Sequence, residues 1–548
     1  MNKLLALFFT LSFVHPFILS PFIHAELAVY NGVYYTTDAI TSTAEVSSIT
    51  SQTELTIPDS IQVGTRFYRV TGIGEEAFKG CKALKEIVLP ASLEYLWRNA
   101  FEGTGLWQNK ANWVDGTLFI DSCLIATNKS IAPRYKVPAN TRLIAAGAFQ
   151  GNKTVTRVEL PESVKRLDND IFRDCKNLTK VVIPASVEWI GQDAFLNTGI
   201  WLNDKKWKKG ALYIDGCLIA VNKQAPAKFI FKDKVPTRLI AAGAFRGAKQ
   251  VRSLELPDGI RIIPVACFYQ CAALSEVLVP SSVKRVERLA FAECENLKAA
   301  TLPADLDYLG VGAFSMCRNL KSQVLSDNLT GLPTACFFRC ASLTTLRLPQ
   351  HLLIIGDGAF AGCTNLEEPT LPQSLQSIGE KAFAACSRFR EIVIPPTVTV
   401  IKKAAFIDCI HLTRITLPDQ LYAIDDETFK NCIALDRIIL PPALYRIGTE
   451  AFMSCRELFE IVIPSHIKEL YDGTFAHCIN LYRVTLNDNL TAIGNGTFYH
   501  CPQLKEINVP DSLMTIGEEA FLDCKSLTQP LLPEHVAVGK NAFKGCKR

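Results

Sequence analysis

Nineteen cysteines are the first residues in this 548-residue sequence that could do chemistry, as a disulfide framework or as metal ligands. Their spacing argues against both. Fifteen of them, including Cys271, Cys294, Cys317 and Cys340, stand three residues after a recurring phenylalanine. One slot filled by the same small side chain in unit after unit is a packing position. Paired Cys-x-x-Cys ligands are missing, side chains stacked in parallel have poor dihedrals for bridging, and an odd total leaves one thiol over. The expectation is a column of mostly reduced, buried thiols. His477, His500 and Asp523 share the position just before that cysteine in three successive units. At about 4.8 Å spacing they could approach a divalent metal, but no fourth ligand is evident and no metal is expected. Gly-x-Ser-x-Gly, His-Glu-x-x-His and phosphate-cradling glycine loops are absent from the sequence. No catalytic residue and no cofactor are therefore expected, and the chain is not read as an enzyme.

Residues suited to binding are easier to find. Trp107, Trp113, Trp201 and Trp207 fall in two segments that interrupt the repeat, and Phe459 and Tyr482 occupy a strand position where polar residues are usual, beside Arg483. Aromatic side chains next to arginine resemble interface anchors. The competing reading is that each tryptophan packs its segment onto the scaffold, and for any single tryptophan that reading is favoured. Glu391, Arg414, Arg437, Glu460, Arg483 and Glu506 follow one another as a mixed ladder, which as a solvated face contributes little per pair. The net charge of +4 is small and its signs are interspersed, so a nucleic-acid partner is excluded.

The elements that position these residues follow from one interval. From Phe245 to Phe521 a phenylalanine returns every 23 residues, and the same beat runs through Phe78, Phe101, Phe149, Phe172 and Phe195, with Phe543 closing it one residue early. Separate globular domains cannot keep such a period; a stack of equivalent coils can. Leu458 to Pro464 reads as a short strand stopped by proline. Gly448 to Cys455, with Phe452, fits one or two helical turns on the opposite side, and Ile467 to Leu470 a second extended stretch. A single coil cannot bury Phe452, Leu458, Ile461 and Ile463, so coils share one core, each large apolar side chain contributing about 1.5–3 kcal/mol.

The pattern Leu412-Thr-Arg-Ile-Thr-Leu-Pro418, Leu421-Tyr-Ala-Ile424, Phe429, Cys432, copied over roughly residues 55 to 548, resembles the BspA-like (treponemal-type) leucine-rich repeat. The resemblance implies an α/β repeat solenoid, a right-handed stack of about nineteen coils with a parallel β-sheet face and short helical turns opposite. It also implies a bacterial surface or secreted protein adhering to host matrix proteins or to other cells, and it brings no catalytic residues. Residues 1–25 read as a signal peptide, with Lys3, the apolar run Leu4 to Phe22, and cleavage after Ala25. Residues 26–73 read as an N-terminal β cap with a hairpin at Asn31-Gly32, and 74–548 as the solenoid, with hairpin-like insertions at about 104–128 and 198–222. The mature chain carries no transmembrane segment on this reading. The expected function is secreted or cell-surface binding and adhesion, to protein or glycan partners on host material or neighbouring cells. The alternative is a structural component that self-associates through its solenoid end.

Overall fold

The computed structural model describes residues 25–38, 42–231 and 236–547. Its architecture follows from what one unit must bury. In the strand Glu391–Val393 the central Ile392 points inward between two exposed neighbours. That strand pairs in parallel with Arg414–Thr416, and that with Arg437–Ile438, each residue facing its equivalent 23 positions on. Because register equals repeat length, every inward side chain meets its own kind. A second short strand per unit repeats the logic, as in Ile354–Ile355, Ser377–Ile378 and Val400–Ile401.

The phenylalanine side differs from the expected helical turns. Among the described residues one α-helix is found, the four-residue Gly105–Gln108. Around Phe268 the alternate amides of Ala266, Phe268 and Gln270 donate to Arg288, Ala290 and Ala292 of the following turn, at 2.9, 2.8 and 3.0 Å. The amides between them, of Cys267, Tyr269 and Cys271, close turns onto residues three back. An α-helix would keep every amide within its own segment, so this backbone cannot be one. The geometry needs a left-handed residue two before and two after each phenylalanine: Ala266 and Gln270 (φ 51° and 61°), Ala404 and Asp408 (56° and 60°), Glu450 and Ser454 (55° and 64°). Each non-glycine residue so placed costs about 1–2 kcal/mol, offset by bonds that tie turn to turn. The phenylalanine rings stack along the column, with centroids 5.1 Å apart at Phe291–Phe314 and 5.7 Å at Phe337–Phe360.

The same backbone explains the cysteines. Cys294 Sγ donates to the Phe268 carbonyl of the preceding turn at 3.1 Å, Cys409 to Phe383 at 3.2 Å, and Cys478 to Phe452 at 3.2 Å. A buried donor of small volume fits the slot, and all nineteen thiols are unpaired. Burial pushes the thiols of Cys271 and Cys409 up to about 12, which leaves almost no thiolate at neutral pH. Native-state alkylation followed by mass spectrometry is expected to modify Cys81, one of two half-buried thiols, well before any of the seventeen buried ones. Labelling of Cys409 at a comparable rate would contradict this packing.

The chain divides into two compact units, Met1–Val221 with Thr237–Ala244, and Asn222–Pro236 with Phe245–Arg548. Together they hold about 21 turns of about 23 residues. That exceeds the nineteen phenylalanines because each stretched interval, Phe101 to Phe149 and Phe195 to Phe245, spans two turns. The segment read as a signal peptide lies outside the described residues except for Ala25. The first unit begins with a sheet in the order Ala25–Tyr30, Val33–Asp38, Thr43–Ile49, Arg66–Ile73, Ser60–Val63, and Tyr95–Leu96 also pairs with Arg66–Ile73. Asn31 and Gly32 make the first hairpin turn with φ of 50° and 74°. Inside this sheet Glu45 is buried, and Trp97 Nε1 donates to its carboxylate at 2.8 Å.

Both inserted segments fold alike within the first unit. Trp113–Val114, Thr117–Ile120 and Cys123–Thr127 form an antiparallel meander whose last strand pairs in parallel with Leu143–Ile144. Trp207–Lys208, Ala211–Ile214, Cys217–Val221 and Leu239–Ile240 repeat it. Gly116 has a φ of 78°, and a Cβ there would lie 2.2 Å from the Ile131 amide nitrogen, so only glycine fits. The fastenings are duplicated too. Asp121 Oδ2 accepts from the Leu89 amide (3.0 Å), as Asp215 Oδ2 does from Ile183 (2.9 Å). Arg142 donates to the Pro90 and Ala91 carbonyls, and Arg238 to those of Pro184 and Val187.

Candidate binding surfaces

Each inserted segment holds its two tryptophans edge to face. Thr104 caps the Gly105–Gln108 turn by accepting from the Trp107 amide at 3.0 Å, and Thr198 accepts from the Trp201 amide at 3.1 Å. The indoles of Trp107 and Trp113 lie 5.2 Å apart at 89°, and those of Trp201 and Trp207 lie 5.1 Å apart at 89°. Trp113 Nε1 donates to the Trp107 carbonyl (2.8 Å) and Trp207 Nε1 to that of Trp201 (2.7 Å). All four rings are half-buried against the apolar core. Much of their surface therefore serves to pin the insertions, and the indole N–H of Trp113 and Trp207 is spent inside the protein.

What remains outward is a groove of about 640 Å³ edged by Trp107 and Trp113, with Gln108, Lys110, Asp115 and Asn128 supplying polar groups. A second opening of about 400 Å³ lies between the same insertion and the strands Glu54–Thr56 and Glu86–Val88, where Phe119 faces the exposed Val88.

The other expected patch lies in the second unit. Phe459 and Tyr482 stack with centroids 5.4 Å apart and planes 2° from parallel, and Phe459 remains 55% exposed. Lys505 Nζ sits 5.8 Å from the Tyr482 ring. Ile439 and Val462 are also exposed. The charged ladder resolves into pairs: Glu391 with Arg414 (3.5 Å), Arg437 with Glu460 (3.0 Å) and Arg483 with Glu506 (2.6 Å). Arg483 holds the Glu506 carboxyl below its usual range and is itself occupied by that contact. These exposed pairs contribute little stability.

His477 and His500 lie 5.4 Å apart ring to ring, and His500 Nδ1 is 3.8 Å from Asp523. Burial, then the neighbouring His500, lowers the pKa of His477. Among the described residues no group of three or more His, Cys, Asp or Glu side chains is arranged to hold a metal ion. No helix among them is long and apolar enough to cross a membrane.

Sequence reasoning missed a third surface, made by Tyr422, Tyr445 and Tyr471 beside Arg446. The signal was present in the columns. Tyr471 stands where neighbouring units carry Gly448, Gly494 and Gly517, and Tyr422 and Tyr445 share one column in successive units.

A family model described as BspA type leucine rich repeat region matches residues 46–113, 127–204, 238–367, 354–481 and 422–548. Its gaps, 114–126 and 205–237, begin within the two insertions. No curated protein matches the chain. Among solved structures the chain is similar to a leucine-rich repeat protein from Bacteroides ovatus, at 20% identity over 93% of this chain and 98% of that one, with a TM-score of 0.41. A leucine rich cell surface protein from Faecalibacterium prausnitzii is 18% identical over 88% and 94%, with a TM-score of 0.31. The T. pallidum leucine rich repeat protein is 25% identical over 38% and 82%, with a TM-score of 0.25.

Proposed function

The chain belongs to the BspA-type leucine-rich-repeat family, and from that premise we propose that it is an exported binding protein whose partners are surface or matrix proteins. The observation that carries this reading is the groove edged by Trp107 and Trp113. Loops inserted on a repeat scaffold are free to vary while the scaffold stays rigid. A half-exposed tryptophan framed by polar side chains is the arrangement that anchors protein interfaces. Leucine-rich-repeat scaffolds are in general protein-binding, and the apolar leader ending at Ala25 supports export. No reaction is assigned to the chain.

The test uses purified protein against immobilised extracellular-matrix proteins and intact cells. Trp107→Ala/Trp201→Ala is expected to weaken retention about tenfold or more. Because those rings also pack, Gln108→Ala/Lys110→Ala, confined to the exposed rim, should weaken it in the same direction without shifting the melting temperature. Retention unchanged in both variants, or no retention of the parent protein on any surface, overturns the reading.

A further inference from the structure

Tyr422 and Tyr445 come from successive turns of the second unit and are 59% and 45% exposed. Their ring centroids lie 3.8 Å apart. Both flank short strands, Ala423–Ile424 and Arg446–Ile447, that pair in parallel, so the two rings are held by sheet rather than by a loop. Tyr471 adds a wall where the turns on either side carry Gly448 and Gly494. In the turns on either side that glycine is a packing requirement: a Cβ at Gly448 would lie 2.4 Å from Asp426 Oδ1, and one at Gly494 2.7 Å from Asp472 Oδ1. Here the chain gives up the small residue and places a phenol over the groove.

Beneath these rings Arg446 is fixed from two sides. Its guanidinium donates to Asp425 and to Asp426 (2.7 Å) and lies 5.2 Å from the Tyr471 ring centroid. His466, Lys468 and Glu469 complete the rim of an open groove of about 620 Å³, within the usual size of a small-ligand site. The outer side of the packed Tyr422–Tyr445 pair and a fixed fan of hydrogen-bonding groups select the ligand. The ring surface wants a flat apolar face. The guanidinium, with five N–H donors, and the tyrosine hydroxyls, carboxylates and ammonium want several adjacent hydroxyls.

The charges select further. On the rim Lys468 and Glu469 offset one another, and Arg446 is already paired with Asp425 and Asp426, which does not favour an anion. A cationic ligand would compete with Lys468 and with Arg446, which already lies over Tyr471. We propose that this groove is a carbohydrate site for an uncharged pyranose, stacked on Tyr422 and Tyr445 and hydrogen-bonded by Arg446 and the rim. It uses no residue of the tryptophan grooves and stands or falls apart from them.

The probes are immobilised neutral oligosaccharides of glucose, galactose, mannose and the N-acetylhexosamines, their sialylated and sulfated counterparts, and phosphocholine. The intact protein is expected to retain at least one neutral member, and retention should survive high salt, unlike that of a charged ligand. Tyr422→Ala/Tyr445→Ala should reduce it about tenfold or more. Tyr471→Gly, which gives the position the residue of the adjacent turns, should reduce it with the fold intact. Trp107→Ala/Trp201→Ala should leave it unchanged. Retention of charged members or phosphocholine alone, retention of none, or retention by both tyrosine variants equal to that of the parent protein overturns the proposal.

Discussion

Phe383→Ala is expected to destabilise the second unit by about 3–5 kcal/mol, while Phe459→Ala is expected to cost about 0.5 kcal/mol or less. Phe383 is wholly buried, with the rings of Phe360 and Phe406 each 5.4 Å away and that of Phe389 5.6 Å away. Removing it opens a cavity the surroundings cannot close. The spacing of the turns is set by the backbone bonds from Phe360 to Ala382 (2.8 Å) and from Phe383 to Ala405 (2.9 Å), and these do not shorten when a ring is lost. Each coil is stabilised by its two neighbours, so the defect weakens both interfaces at once. Urea denaturation gives the loss, and hydrogen exchange of the Ala359–Phe406 amides locates it. Phe459 exposes more than half its surface and leaves no void. Equal losses from the two substitutions would mean that the inner and outer faces have been interchanged.

The second large effect depends on pH. Burial raises the Glu45 carboxyl from 4.5 to about 7, against the opposing hydrogen bonds from Trp97 and Tyr95. Below pH 4.5 the group is protonated whether the chain is folded or not, and it costs nothing. Between 4.5 and about 7 the unfolded chain gives up the proton while the folded one keeps it, so stability falls as pH rises; above 7 both are ionised and the loss is complete. The interval corresponds to about 3 kcal/mol. Glu45→Gln, which stays neutral and can still accept from Trp97, is expected to match the parent at pH 4 and to be more stable by about 3 kcal/mol at pH 8. Denaturation followed by tryptophan fluorescence, which includes the Trp97 contact, reads the difference. Parallel pH profiles for parent and variant would remove Glu45 as the cause.

The repeat, its inward and outward faces and the buried cysteine column were legible because each rests on periodicity, and a parallel stack turns sequence period directly into spatial register. The conformation around the phenylalanine was not. Gly448 to Cys455 looks helical because glutamate, alanine and methionine favour helix. The backbone instead sends alternate amides to the next turn, a tertiary demand that no local propensity records. The inserted tryptophans were recognised as departures from the repeat, but their indole bonds to backbone carbonyls, which tie half of each pair to structure, were not foreseeable from spacing. The tyrosine groove escaped because its residues lie 23 to 49 apart in sequence, and only a column-by-column reading sets Tyr471 against the glycines around it. Glu45 escaped for another reason: its partner Trp97 is 52 residues away, and nothing local marks that carboxyl as buried.

The duplicated fastenings of the two insertions bear on inheritance. Asp121 and Arg142 tie the first insertion to Leu89, Pro90 and Ala91, and Asp215 and Arg238 tie the second to Ile183, Pro184 and Val187. Each of these side-chain fastenings ends inside a block of about 55 residues, Leu89 to Arg142 or Ile183 to Arg238. A recombination event that copies such a block carries each donor together with its acceptor, and the copy arrives already fitted to a neighbouring turn. The insertion is in this sense a cassette: a gene of this kind can multiply its variable loops without having to evolve a new way of attaching them.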